Sequence, residues 1–431
     1  MSRAAQAWAL VLAGFAPVFT QPSFALFRHL VCAWVLCPGR RTVTRMIRTM
    51  DPASRRCHDA YHRFLRGGAW RMATLWELLV VLLVHRLSPQ GVLPLDLDDT
   101  LFHKTGRKVD GAGIFRDAVR SLASSVVYAL GLNLVVLTLR IRPPWGGEPL
   151  GLPIHVRLYR KGGPSHLDLG EAMIRELAGW LASRTFALAC DGAYASLAGR
   201  ALPRTHVTSR LRKDAALYEM PPPRRKGQRG RPRKKGTRLP SPEQMARQSR
   251  TGWVRAAVDE RGKVVERLLL SRPVLWYTVC PDRPILLVIV RDPTGKQHDD
   301  FFFTTDLEAS APAVGAHYAG RWSIEDTFRN VKQSLGGEDP QTWKGTGPER
   351  AAALSLWLYS AVWFWYITTH GTKITWPALP WYATKRTPSF ADALAALRRA
   401  LWSQRIFSVS ARNPLPRKMA SVLLDVLAHA A

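Results

Sequence analysis

The sequence predicts an α/β protein: a mixed sheet near the middle of the chain, a β-rich insertion after it, and helical regions at both ends. Three observations carry this. Short apolar runs of strand length cluster between residues 93 and 190, with one amphipathic stretch of helical period among them. A second group of β-forming runs follows a charged, Pro- and Gly-rich segment. Long stretches of helical period flank the whole.

Taken in order, residues 1–90 alternate apolar runs with Arg-rich turns. Gly39 is followed by Arg40, Arg41, Thr42 and a basic segment through Arg48, which predicts a small helical region with one basic helix. Such a helix after a Gly turn is compatible with entry into a DNA groove or with a merely solvated basic face. Strands are predicted over 93–101, 126–141 (interrupted by Gly131) and 153–159, then a helix over 167–181. A short strand from Phe186 to Cys190 follows and ends at Asp191. Residues 221–242 are too rich in charge, Pro and Gly to pack and read as an exposed loop. Val, Leu, Ile and aromatic runs dominate 252–305, and helices are expected over 310–335, 348–367, 389–402 and 419–429.

The chain has 431 residues, and 47% of them are hydrophobic, enough to fill a large core and to exclude disorder throughout. Its 62 Lys and Arg outnumber 32 Asp and Glu, for a net charge of +30. That excess points to a polyanionic partner, nucleic acid first and an anionic membrane surface second. The five cysteines are scattered, without zinc-site or disulfide-scaffold spacing, as expected in a reducing cytosol. Two apolar stretches imitate membrane signals. Trp8 to Phe19 behind Arg3 has signal-peptide length, but Pro17 and the lack of a small-x-small site oppose that reading. Ala351 to Ile367 is uncharged, yet its Ser, Tyr and Trp content fits a buried helix better than a span.

The most informative segment runs from His317 to Lys332. On a helix of about 100° per residue, Tyr318, Arg321, Glu325 and Lys332 fall within an arc of roughly 60°. One stripe then offers an aromatic ring, two cations and an acid; the plainer alternative is a surface helix with an Arg321 to Glu325 ion pair. The set Tyr318, Arg321, Glu325 and Lys332, separated by two, three and six residues, resembles the signature of the bacterial insertion-sequence transposases of the DDE type, insertion-sequence-four group. The resemblance reaches from about residue 93 to about residue 335 and implies a ribonuclease H-like catalytic core. It implies two Mg²⁺ ions (Mn²⁺ able to substitute) held by three acids for strand cleavage at transposon ends and strand transfer into target DNA. Glu325 would be the third acid, with Arg321 and Lys332 on DNA near the cleaved phosphate. Trp322 resembles an aromatic that hairpin-forming members set against an extruded base.

By the same resemblance the first acid belongs to the first strand, where Asp96, Asp98 and Asp99 all stand. An aspartate two residues before a threonine selects Asp98, with Asp99 as the alternative, and Lys104-Thr105-Gly106 also resembles the group. Asp191, followed by glycine at a strand end, is the second acid. The implied organisation is a helical DNA-binding domain over 1–90, the first part of the core over 91–220, the loop and insertion over 221–305, the core helix over 306–345 and a helical region over 346–431. Double-stranded DNA (terminal inverted repeats and target), a dimer in the active complex and a bacterial cytoplasmic, nucleoid-associated setting complete the expectation, with no membrane. Within the loop, Arg229-Gly230-Arg231-Pro232 matches the core of an AT-hook, whose arginines enter a narrow minor groove; a solvated basic loop is the plainer alternative, and both predict DNA contact.

Two other readings compete. Asp96 to Leu101 also fits the first motif of haloacid dehalogenase-like phosphatases, with Asp96 as nucleophile and Asp98 as acid/base, although no later paired-aspartate motif accompanies Asp191 and a +30 chain suits small anionic metabolites poorly. The other is a non-catalytic DNA-binding protein derived from a transposase, which retention of all three acids disfavours.

Overall fold

The protein is described by a computed structural model that covers residues 2–51, 56–122, 124–223, 230–372, 380–409 and 417–430. Arg229 lies outside the described residues. Among those residues the chain forms a ten-stranded, mainly antiparallel sheet and twelve α-helices.

The sheet is organised around β1 (Leu93–His103), β3 (Tyr128–Ile141) and β4 (Leu150–Tyr159), which pair as successive antiparallel neighbours. On its other side β1 pairs in parallel with β5 (Phe186–Cys190), and β5 in parallel with β6 (Thr205–Arg210). The short β2 (Gly113–Arg116) extends β3. Parallel neighbours need a crossover. The connection into β5 passes through α6 (His166–Trp180), started by a capping box in which Ser165 and Asp168 satisfy each other's backbone N–H groups, and that from β5 to β6 through the 3₁₀ segment Gly192–Gly199.

β3 runs unbroken through Gly131, which stands opposite His103; a Cβ there would lie 2.4 Å from the Phe102 carbonyl oxygen. The expected interruption is therefore a close strand approach. The insertion follows: β7 (Val254–Glu260), β8 (Lys263–Val274) and β9 (Ile285–Arg291) form a meander. The last strand, β10 (Asp300–Thr304), joins it to β6, so insertion and core share one sheet.

Alternation along β1 gives its two faces different tasks. Leu95, Leu97 and Leu101 are buried toward α6, where the Leu97 side chain comes up against Gly170. Asp96, Asp98, Thr100 and Phe102 face the helical side. That side carries α8 (Ala311–Gly320), α9 (Ser323–Gln333) and α10 (Gly347–His370).

The N-terminal helices pack against the C-terminal ones. They are α1 (Arg3–Ala13), α2 (Gln21–Leu36), α3 (Val43–Met50), α4 (His58–Gly67) and α5 (Met72–Leu87), and α10 and α11 (Phe390–Val409) lie among them. Trp365 donates to the Ala4 carbonyl at 3.0 Å, Trp34 to the Leu335 carbonyl at 2.7 Å and Arg398 to the Val35 carbonyl at 2.8 Å. The Trp357 ring stands edge-on to Phe15 and Phe27, and a single apolar core runs through all of these elements and the central sheet. Among the described residues α10 is the one unbent helix long and apolar enough to cross a membrane, and 94% of that stretch is buried within the protein. α3 buries Val43, Met46 and Ile47 and leaves Arg45 and Arg48 in solvent, the amphipathic basic helix expected from its sequence.

Because the Trp357 ring joins the two ends of the chain, Trp357→Ala should destabilise the protein by about 3–5 kcal/mol. Hydrogen exchange should quicken in α1, α2 and α10 together. Faster exchange in α10 alone would show that the shared core does not couple them.

Candidate active site

The register of the central strands brings two acids together. The parallel ladder between β1 and β5 ends with Leu97 opposite Cys190, so the next residues, Asp98 and Asp191, emerge side by side. Neighbouring strands are about 4.8 Å apart, and register partners in a parallel pair point to the same face. Asp191 caps the short 3₁₀ turn Gly192–Gly199, its Oδ1 accepting from the Ala193 N–H at 2.7 Å, while Ser209 on β6 donates to its carbonyl at 2.8 Å.

Glu325 reaches the same place from α9. Arg321 donates from Nη1 to Asp98 Oδ2 at 2.8 Å, 223 residues away in sequence, and from Nη2 to Glu325 Oε1 at 2.7 Å. The expected continuous helix over 310–335 is divided here. Arg321 and Trp322 keep helical backbone angles but form i to i−3 hydrogen bonds, including Arg321 to Tyr318 at 3.0 Å and Ile324 to Arg321 at 3.0 Å. A 3₁₀ turn advances about 120° per residue where an α-helix advances about 100°. The stripe is thereby twisted: Tyr318 stacks on Phe302 of the insertion at 4.4 Å while Glu325 turns to Asp98.

Lys332 sits farther along. Its Nζ lies 5.7 Å from the Phe102 ring, four residues beyond Asp98 on β1 and so about 13 Å away. Burial lowers its pKa, and Glu338 and Asp117 oppose that. Lys104, singled out in the sequence, donates to the carbonyls of Glu338 at 2.7 Å and Pro340 at 3.4 Å, and so ties the end of β1 to the segment before α10.

Beneath this arrangement lies a buried ion pair that the sequence reading missed. Asp96, 0% exposed, receives Arg140 of β3 through both oxygens, with Nε to Oδ2 at 3.1 Å, and accepts from Ser323 Oγ at 3.2 Å. Arg140 also donates to the His317 carbonyl at 2.8 Å. A Cβ on Gly320 would come within 2.6 Å of the guanidinium. The pair therefore grips both sides of the α8–α9 break. Its enclosure also removes the phosphatase alternative, since a nucleophile sealed from solvent and held by a guanidinium cannot reach a substrate.

Asp99 points to the opposite face, where it accepts from Tyr194 Oη at 3.1 Å and from Asn133 Nδ2 at 3.3 Å. The only sequence trace of Tyr194 was its place three residues after Asp191. Arg140 left none, lying near the end of a mostly apolar strand.

Asp98 is electrostatically strained. Burial, reinforced by Asp99 and Asp191, pushes the Asp98 carboxyl from its ordinary 3.8 up to about 7 and outweighs the pull of Arg321. Next to the acids, a groove of about 310 Å³ opens between α8 and the insertion, lined by Arg210, Arg261, Arg267, Tyr318, Arg321 and Trp322 among others. Trp322 is 46% exposed, with Arg261 5.6 Å from its ring centre.

A family model described as DDE superfamily endonuclease matches residues 15–264, more than half of the chain. The chain belongs to the DDE superfamily endonucleases. No curated protein matches it. The matched span holds Asp98 and Asp191 and stops before Glu325, which only the fold brings to them. The ten-stranded sheet, with β4-β3-β1-β5-β6 at its centre, is the ribonuclease H-like arrangement of such nucleases. Membership assigns this DDE endonuclease to nuclease and transposase chemistry on DNA, in a superfamily that generally uses divalent metals.

The donor chemistry suits such an ion: Asp98 and Glu325 offer hard carboxylate oxygens that both bond to the one Arg321 guanidinium. Among the described residues no three acids, histidines or cysteines lie close enough to share one ion, the Arg321 guanidinium standing between two of them.

The sign of the pH effect follows from Asp98. Between pH 3.8 and about 7 the folded chain holds a proton that the unfolded chain has released, so this carboxyl lowers stability progressively as pH rises through that window. In buffer free of divalent cations, Asp98→Asn should therefore gain melting temperature relative to the parent as pH rises from 4 to about 7. Parallel pH curves for the two proteins would assign the raised pKa to another group.

Proposed function

We propose that this DDE endonuclease is a transposase of the insertion-sequence-four type that cleaves DNA at transposon ends and joins it to target DNA, with Asp98, Asp191 and Glu325 as the catalytic acids. The observation that carries the proposal is the linkage of acids from distant parts of the chain around the end of β1. Asp98 and Asp191 stand on adjacent parallel strands, and Glu325 is linked to Asp98 through Arg321. The spacing of Tyr318, Arg321, Glu325 and Lys332 supports the narrower group.

The three carboxylates would hold Mg²⁺, or Mn²⁺ in its place; two such ions supply a nucleophilic oxygen at neutral pH and charge neutralisation of the leaving oxygen. The remaining work falls to the chain's own groups. Partial burial of Asp98 strengthens the charges beside it. Arg321, released from its carboxylate partners, can donate to a phosphate beside the scissile bond, and Tyr318 limits its swing, the ring centre being 5.7 Å from the guanidinium carbon. Trp322 and Arg261 present an exposed ring and a cation beside the groove, a surface suited to an unstacked base.

DNA affinity comes from the broader excess of cations. The basic loop is anchored at its base, Gly236 donating to the Glu219 carbonyl at 3.0 Å and Lys235 lying 4.2 Å from the Tyr218 ring centre. Arg231 is exposed on it, and Arg229 belongs to the same proposed hook. A domain division at residue 90, a dimer in the active complex and a bacterial cytoplasmic setting belong to the same proposal.

Asp98→Ala, Asp191→Ala and Glu325→Ala should each abolish Mg²⁺-dependent cleavage of supercoiled DNA carrying the element's ends while DNA binding persists in a mobility-shift assay. Cleavage retained by all three variants would refute the assignment of the acids.

The stripe makes a finer distinction. Arg329 is bonded to Asp326 at 2.6 Å on the exposed side of α9, whereas Arg321 is 8% exposed at the acids. On pre-bound DNA, Arg321→Ala should slow cleavage by at least about 100-fold and Lys332→Ala by less, with Arg329→Ala within about threefold of the parent, since only the first stands at the reacting phosphate. Equal effects that vanish at higher DNA concentration would reduce the stripe to a general phosphate-binding face.

A further inference from the structure

The β1–β5 ladder stops one residue short of the acids. Its last backbone pair is Leu97 with Cys190, and past it no strand pairing fixes Asp98 against Asp191. The next tie between the two segments is made by side chains. Tyr194, three residues after Asp191 and buried, donates its hydroxyl to Asp99 Oδ1 at 3.1 Å. Its own N–H donates to the Asp191 carbonyl at 3.1 Å, so the ring and the second acid belong to one rigid turn.

Asp99 is equally constrained. Its second oxygen accepts from Asn133 of β3 at 3.3 Å, Asn133 Oδ1 meets His166 Nε2 of α6 at 3.3 Å, and the His166 ring stacks on Tyr159 at 3.9 Å. Toward the acids, the Asp99 main-chain N–H donates to Asp98 Oδ1 at 2.9 Å and sets the rotation of that carboxylate. One residue thus grips the first acid through its backbone and the second acid's turn through its side chain.

We infer that Asp99 and Tyr194 form a strut behind the acid-bearing face that fixes the spacing and orientation of Asp98 and Asp191, and that neither residue touches DNA or metal. This rests on the reading of Asp98 and Asp191 as metal-holding acids. The hydroxyl-to-carboxylate bond is charge-assisted and shielded, and it acts where the ladder has ended. Both residues are positioning residues. The strut gives Asp99 a task other than that of first acid.

The test uses the full chain with Tyr194→Phe, Asp99→Asn, the double variant and Asp98→Asn. Mn²⁺ binding to the DNA-free protein is read by electron paramagnetic resonance, single-turnover Mg²⁺-dependent cleavage on pre-bound DNA, and melting temperature alongside. Tyr194→Phe keeps the buried ring and should melt close to the parent. It should weaken Mn²⁺ binding and slow cleavage by about 10–100-fold while the Kd for DNA is unchanged, as loss of an outer partner of a metal-holding group does. The double variant should be no worse than the poorer single, because both break one strut.

Parental Mn²⁺ binding and cleavage in Tyr194→Phe, with binding lost in Asp98→Asn, would overturn the strut and leave the active-site reading intact. Additive losses in the double variant would also overturn it. Mn²⁺ bound equally by the parent and Asp98→Asn would instead remove the reading on which the strut rests. Should Tyr194→Phe fail to fold, Asp99→Asn carries the same expected losses, and its parental behaviour would refute the inference.

Discussion

The buried pair of Asp96 and Arg140 is the constraint on which the rest of the site depends. A carboxylate with no exposure is tolerable only when its charge and lone pairs are fully met, and Arg140, with Ser323, meets them. Removing one partner of such a pair costs about 3–5 kcal/mol because the other charge is left buried and alone. Here the same bonds locate a third element. Arg140 also holds the His317 carbonyl and lies against Gly320, so the break between α8 and α9 can rest in one place over β1. Arg321 and Glu325 follow Gly320 by one and five residues, and their approach to Asp98 is a consequence of where the break rests.

Charge is distributed around this point against the trend of the molecule. A chain with a surplus of thirty positive charges gathers Asp96, Asp98, Asp99 and Asp191 within one pair of strands. Strand alternation then separates their uses. Asp96 is neutralised by Arg140 and Asp99 is hydrogen-bonded on the α6 face; Asp98 is left among other acids with only Arg321 to balance it. Burial raises the Asp98 carboxyl, Asp99 and Asp191 adding to it against the pull of Arg321. At the margin Arg210, Arg261 and Arg267 line a groove with Tyr318 and Trp322, each of the three arginines paired with a neighbouring acid.

The insertion contributes more than length. Since β10 returns to pair with β6, the meander β7–β9 is continuous with the core sheet, and Phe302 of β10 provides the surface on which Tyr318 stacks. The helical ends of the chain behave similarly. α10 is almost wholly enclosed by helices from both termini, so the apolar stretch that imitates a membrane span is an interior strut of the helical layer.

Local pattern was enough to determine most elements from sequence. Apolar runs of strand length gave β1, β3, β4 and β5; helical period gave α6; composition marked the basic loop and the insertion. The spacing of Tyr318, Arg321, Glu325 and Lys332 drew attention to the segment that meets Asp98, and Asp98 and Asp191 were named through the family resemblance. All of these depend on residues close in sequence, where propensity and periodicity act directly. Only the tertiary structure decided which aspartate faces which partner. Asp96, Asp98 and Asp99 are chemically alike and adjacent, and their fates depend on Arg140, Arg321 and Tyr194, which lie 44, 223 and 95 residues away. The 3₁₀ turn at Arg321, which takes Tyr318 and Glu325 to different neighbours, has the same origin. It is set by packing on β1, β3 and β10, contacts that no local periodicity contains.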